Sequence, residues 1–197
     1  MSRPPLRLVK PPRSGGGSPV DRIIGVVKLQ EPVYAGIKRD ATAMNQAVLV
    51  VLVSALATNV WVAAFAPNGI IRAVGGVVLA FVAWLLFGTL AWWLGTRWFA
   101  PRYAPPDLRQ MLTLTGFATA PAALNILGFV PLIGWLILMV ASIWSLLTAY
   151  TAVRIGLASD ERNALIVTFI AYLANALLFA LTANVLGIGR GGGFLLP

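Results

Sequence analysis

The sequence predicts an all-α integral membrane protein with five transmembrane helices, its N-terminus cytoplasmic and its C-terminus external. Three observations lead there. The 197 residues are 59% hydrophobic and only 11% charged, whereas a soluble domain is roughly half apolar and a quarter charged. Five stretches reach the length of about 20 apolar residues that an α-helix, rising about 1.5 Å per residue, needs to cross a hydrocarbon core of about 30 Å. The Lys and Arg residues between those stretches fall almost entirely on one side.

Residues 1–19 mix proline, glycine and arginine with too little apolar content to offset the entropy of ordering, so this basic tail is expected to be disordered. No apolar core follows it at once and no small-residue cleavage site is in range, so it is expected to stay on the mature protein. Residues 20–44 form an amphipathic cytosolic region. Val20, Ile23, Ile24 and Val27 recur at helical spacing opposite Asp21, Arg22 and Lys28, and Val33, Tyr34 and Ile37 repeat the theme before Lys38 and Arg39. These helices either lie flat on the bilayer or pack against the cytosolic ends of the spans.

The five-helix membrane domain is placed at residues 45–189. The first span, 46–66, ends at Pro67-Asn68-Gly69, a turn signal. The second, 73–96, lies between Arg72 and Arg97. From Gln110 to Val153 no charge occurs, and one helix of that length would be roughly 66 Å long, twice the bilayer core. The chain must fold back, and Gly128-Phe129-Val130-Pro131 is the natural turn, because proline ends one helix and its fixed φ suits the start of the next. The third and fourth spans are therefore 110–128 and 131–153. Asp107 is expected to cap the third, with Gln110 reaching back. The fifth is 163–187, and 190–197 is a short external tail.

With five crossings, thirteen basic residues share the side of the N-terminus, while the other side has only Arg72 and Arg190. That split makes the N-terminus cytoplasmic. Trp61 and Trp135 fall near the outer ends, and Trp92, Trp93, Trp98, Tyr103 and Tyr150 near the inner ends, where indole and phenol rings prefer the headgroup boundary. Trp84 and Trp144 fall mid-span and require either a hydrogen-bond acceptor for the indole or packing inside the bundle.

The net charge is +9, and there is no histidine and no cysteine, which removes imidazole and thiolate chemistry, disulfides and the common zinc and haem ligands. Cofactors: none are expected. All six acids, Asp21, Glu31, Asp40, Asp107, Asp160 and Glu161, fall outside the predicted spans, as does every Lys and Arg. Proton relays and many ion-coupled carriers mark their path with an intramembrane charge. Ser142 and Ser145 have no general base nearby, so the protein is expected not to be an enzyme.

Other residues stand out. Along the fifth span Thr168, Ala171, Asn175 and Thr182 share one face, and Ala176, Ala180 and Ala183 an adjacent one. Small residues at such spacing let helices approach closely, and amides and hydroxyls bond across the contact. The reading is an inward packing face, with a dimer face or polar pathway as the alternative. Pro121 frees the carbonyl of Phe117 and is expected to kink the third span. Arg3, Arg7, Lys10, Arg13, Arg22 and Lys28 are candidate contacts for lipid headgroups, each contributing on the order of 1 kcal/mol near an anionic surface. The arginine-rich start has no aromatic platform, so no nucleic-acid partner is expected.

Gly116-Phe117 followed by Pro121, the hairpin at Gly128 to Pro131, and Trp144-Ser145-Leu146 deep in the fourth span lie within Thr115 to Leu157. This stretch resembles the Yip domain, the Ypt/Rab-interacting membrane protein family, and more closely its prokaryotic-type members. Ile37-Lys38-Arg39-Asp40, ahead of the apolar run that starts at Gln46, is similar to bacterial members as well. The resemblance implies five membrane helices with a cytosolic N-terminus, and a prokaryotic cell membrane rather than endoplasmic reticulum or Golgi. Eukaryotic relatives are associated with prenylated Rab-type GTPases and with membrane shaping or trafficking; no catalytic or ligand residue carries over.

The function expected is that of a non-enzymatic integral membrane protein that binds partners or organises membrane. Its partners would be the lipid bilayer and a membrane protein or a second copy. The alternatives are a small permease or channel, or an accessory subunit of a larger membrane complex.

Overall fold

A computed structural model describes residues 18–99, 107–130 and 132–185. Within them all regular structure is helical: α1 (Pro19–Val27), α2 (Glu31–Arg39), α3 (Ala43–Phe65), α4 (Gly69–Arg97), α5 (Leu108–Phe117), a 3₁₀ segment (Ala120–Phe129), α6 (Gly134–Leu157) and α7 (Glu161–Val185). Five units are long and apolar enough to cross a membrane: α3, α4, α5 together with the 3₁₀ segment, α6 and α7. Arg3, Arg7, Lys10 and Arg13, the expected disordered tail up to residue 17 and the external tail lie outside the described residues.

Local chemistry sets the boundaries. Ser18 starts α1 by accepting the Asp21 N–H at 3.2 Å while the Asp21 carboxylate accepts the Ser18 N–H at 3.0 Å, a reciprocal cap with Pro19 in the first turn. Between α2 and α3 the Asp40 carboxylate accepts the Thr42 N–H at 2.8 Å and the Thr42 hydroxyl at 2.7 Å, turning the chain into the first span. Asp107 occupies the residue before α5, but its side chain makes no capping hydrogen bond. The expected box with Gln110 is therefore not formed; Asp107 is exposed, where water competes for its carboxylate.

The spans pack as α3 against α4, α5 and the 3₁₀ segment, α6 against the 3₁₀ segment and α7, and α4 against α7. The core lies towards the end that carries α1 and α2, with Val26, Tyr34, Ala43, Ala47, Leu114, Phe117, Ala152 and Val153 among its buried members. Gly116 permits a close approach there between α5, α3 and α4. A Cβ at that position would sit 2.9 Å from the Ala47 Cβ and 3.3 Å from the Trp84 Nε1.

Candidate functional site

Two assemblies bring polar side chains together, and the first is the α1–α2 hairpin. It packs along α6 from Trp144 to the helix end: Tyr34 is fully buried and its hydroxyl donates to the carbonyls of Val26 at 3.1 Å and Thr148 at 3.4 Å. Burial raises the Tyr34 pKa, so it stays a neutral donor. Lys38 donates to the Ile155 and Gly156 carbonyls at 3.2 and 2.8 Å, satisfying the last turn of α6 where the helix dipole favours a cation. Burial lowers the Lys38 pKa. Arg154 of α6 pairs with Glu31 and, at 3.5 Å, with Glu161, tying α2 to α6 and α7.

Arg22 corrects an expectation. It was assigned to the lipid headgroups together with Lys28, but it is only 7% exposed, paired with Asp40 and donating to Gln46 Oε1 at 3.1 Å. A buried guanidinium needs an anion and further acceptors, and the α2–α3 corner supplies both. Asp40 is correspondingly held at about 2, first by the Thr42 hydroxyl, then by Arg22 and the Thr42 N–H. Lys28 remains exposed at the end of α1.

The second assembly surrounds Pro121, which is buried. The α-helix stops at Phe117 and the span continues from Ala120 as ten residues of 3₁₀ helix. The change in helix type goes beyond a kink, and because 3₁₀ turns rise about 2.0 Å per residue it lengthens the span to roughly 35 Å. Backbone carbonyls loosened by the change find side-chain donors. Thr119 donates to Gly116 at 2.8 Å, Thr148 of α6 to Ala118 at 2.7 Å, Ser54 of α3 to Thr119 at 3.0 Å and Trp61 to Ile126 at 3.0 Å. Asn125 donates to the Thr58 hydroxyl at 3.0 Å. Such compensation is what lets irregular backbone persist inside a membrane domain.

The mid-span tryptophans follow the same rule. Trp84 is 6% exposed and donates to the Leu112 carbonyl at 3.1 Å, and Trp144 donates to the Val27 carbonyl at 2.7 Å, joining α6 to α1.

On α7 the expected packing face divides. Thr168 and Ala171 are buried, with Ala164 and Val167 beside them; Asn175 and Thr182 are half-buried, and Ala176 and Ala180 are exposed. The inward assignment of Ala176 and Ala180 is therefore corrected: the buried part of α7 lies in its first half, against α4 and α6. Thr182 bonds within its own helix, to Leu178 at 2.8 Å. The Asn175 Oδ1 is enclosed without a hydrogen-bond partner among the described residues, as is the Thr168 hydroxyl. The side chain of Ala183 lies outside what the structure describes.

The family model of the Yip1 domain matches residues 31–183, from the start of α2 to near the end of α7. The chain belongs to the Yip1 domain family. No curated protein and no solved structure matches it. The matched region contains both partners of each tie between α2 and α6, namely Tyr34 with Thr148, Lys38 with Ile155 and Gly156, and Glu31 with Arg154. In this Yip1 domain the docked α2 is thus part of the domain, while α1 precedes the matched region. Ser54 and Thr148 were not singled out from sequence; hydroxyls inside spans without charges are the signal that could have found them. Among the described residues no group of His, Cys, Asp and Glu is arranged to hold a metal.

Proposed function

We infer that this Yip1-domain membrane protein works by contact, binding membrane partners or organising the membrane around it, without turning over a substrate. The observation that carries the reading is how the polar groups of the spans are used. Ser54, Thr148, Trp61, Trp84 and Trp144 all donate to backbone carbonyls of another element, which makes them structural fastenings. The basic tail and the exposed Lys28 suit an anionic membrane surface, and the exposed Ala176 and Ala180 suit a partner helix or a second copy. The thirteen-to-two split of basic residues supports a cytoplasmic N-terminus, and the resemblance to bacterial members supports a prokaryotic cell membrane.

The permease reading draws on Asn125, Asn175 and threonine side chains; the Oδ1 atoms of Asn125 and Asn175 lack a hydrogen-bond partner among the described residues. Mild-detergent copurification and solute-flux assays on reconstituted liposomes decide between the two. A copurifying membrane protein without flux is expected; flux abolished by Asn175→Leu, with no partner, would establish the permease. Reporters fused at Met1 and after Pro197 should read cytoplasmic and external, and both on one side would overturn the orientation.

A further inference from the structure

Two turns join spans at the end of the bundle opposite α2, and they are chemically unlike. The α3–α4 turn carries polar groups at its tip: Asn68 takes a left-handed conformation at φ 53, and Arg72 is exposed one turn into α4, between the exposed apolar side chains of Phe65, Ile70 and Ile71. The turn between the 3₁₀ segment and α6 has no polar side chain from Ile126 to Val140. At its apex Leu132 is 92% exposed and held at φ 69, a conformation that a leucine adopts only under constraint. Phe129, Ile133 and Trp135 flank it at 55, 50 and 66% exposure. Gly134 closes the turn, since a Cβ there would collide with the Gly128 carbonyl.

The backbone of this turn is partly satisfied from within. Val130 donates to Leu127 at 3.2 Å, Gly134 to Val130 at 2.7 Å and Ile137 to Ile133 at 3.0 Å. The Trp61 ring lies 4.4 Å from Phe129 and 5.7 Å from Phe65, a cluster that anchors the turn to the end of α3. The exposed apolar surface is continuous with the sides of the spans, through Leu124 and Ile126 on one arm and Leu136, Met139 and Ile143 on the other.

We propose that this turn is seated among the acyl chains at the edge of the bilayer, so that the hairpin of the third and fourth spans is lipid-covered at its very tip, while at the tip of the α3–α4 turn on the same side Asn68 and Arg72 reach water. The occupant of the Phe129–Leu132–Trp135 surface is phospholipid. A strained, fully exposed leucine with three exposed apolar neighbours is stable against hydrocarbon and costly against water, and the continuity with the lipid-facing spans leaves no polar rim to mark a boundary with the aqueous phase.

The chain has no cysteine, so single replacements report directly. Full-length Leu132→Cys, Ile133→Cys and Asn68→Cys variants would be reconstituted in phosphatidylcholine–phosphatidylglycerol vesicles opened to both sides and treated with a membrane-impermeant maleimide. Because a thiol in apolar surroundings is a poor nucleophile, the expected result is labelling at positions 132 and 133 slower than at 68 by roughly tenfold or more, with all three rates equal once the protein is denatured in detergent. Equal rates in the bilayer would overturn the proposal. Slow labelling that appears only at high protein density would assign the surface to a second copy and overturn it as well. Ile133→Cys keeps the test decisive if Leu132→Cys does not fold.

Discussion

The end of the bundle that carries α1 and α2 and the opposite end are built on different principles. At the first, small residues bring helices together: Ala43, Ala47, Ala91, Ala152, Ala164 and Ala171 are buried around Phe117, Leu114 and Met111, and ion pairs clamp the surface. At the second, Phe65, Ile70, Val74, Val78, Leu173 and Leu177 are exposed, and α3 and α6 pack against the 3₁₀ segment. The first end stabilises itself by packing with itself, as a soluble core does, whereas the second presents its side chains to lipid, against which apolar burial supplies little drive for helix association.

The contrast can be broken most forcefully at Phe117, which is fully buried. Phe117→Ala should lower the unfolding free energy in detergent by about 3 kcal/mol through the cavity it leaves. Leu177→Ala, at the open end, should change it by less than about 0.5 kcal/mol. Next in size is Asp40→Ala. It removes the carboxylate that Arg22 and Thr42 share, and should cost about 2 kcal/mol, the scale of hydrogen bonds to charged groups, read by the same denaturation assay.

The same substitution placed twice on α7 sharpens the comparison. Ala171→Leu should destabilise by about 1 to 3 kcal/mol through overpacking, and Ala180→Leu, on the exposed part of the helix, by less than about 0.5 kcal/mol. Equal effects would show that the two halves of α7 are packed alike.

The Asp40 carboxylate also gives a pH dependence. The folded pKa of Asp40 is about 2, below its ordinary 3.8. Its contribution is therefore complete above about pH 4 and lost as the pH falls through 4 towards 2. Thermal scans across that range should show this loss, and Asp40→Asn should flatten it.

The helical class and the five membrane-length units were legible, because long uncharged runs bounded by arginine and a glycine–proline turn depend on local composition. Three features were hidden. Pro121 announces a missing donor, but whether the chain then bends or changes helix type depends on Ser54 and Thr148, which lie 65 and 30 residues from the carbonyls they serve. Arg22 falls on the polar face of α1, and its burial depends on Asp40 in a later element. On α7 two small-residue faces look equivalent by spacing alone, and only the packing against α4 and α6 buries Thr168 and Ala171 and leaves Ala176 and Ala180 exposed.

The ties between α2 and α6 also constrain the order of events during synthesis. Tyr34, Lys38 and Glu31 precede their partners by 114 to 123 residues. At about 5 to 20 residues per second, an emerging chain waits on the order of ten seconds between making α2 and making its seat. Until α6 has entered the membrane, the buried face of α2 has no Thr148, Arg154 or Ile155 to meet, so the first helices of the chain are among the last to reach their final place. A nascent chain stopped before the fourth span would hold α2 against α5 without α6, with the Tyr34, Lys38 and Glu31 side chains still short of their α6 partners.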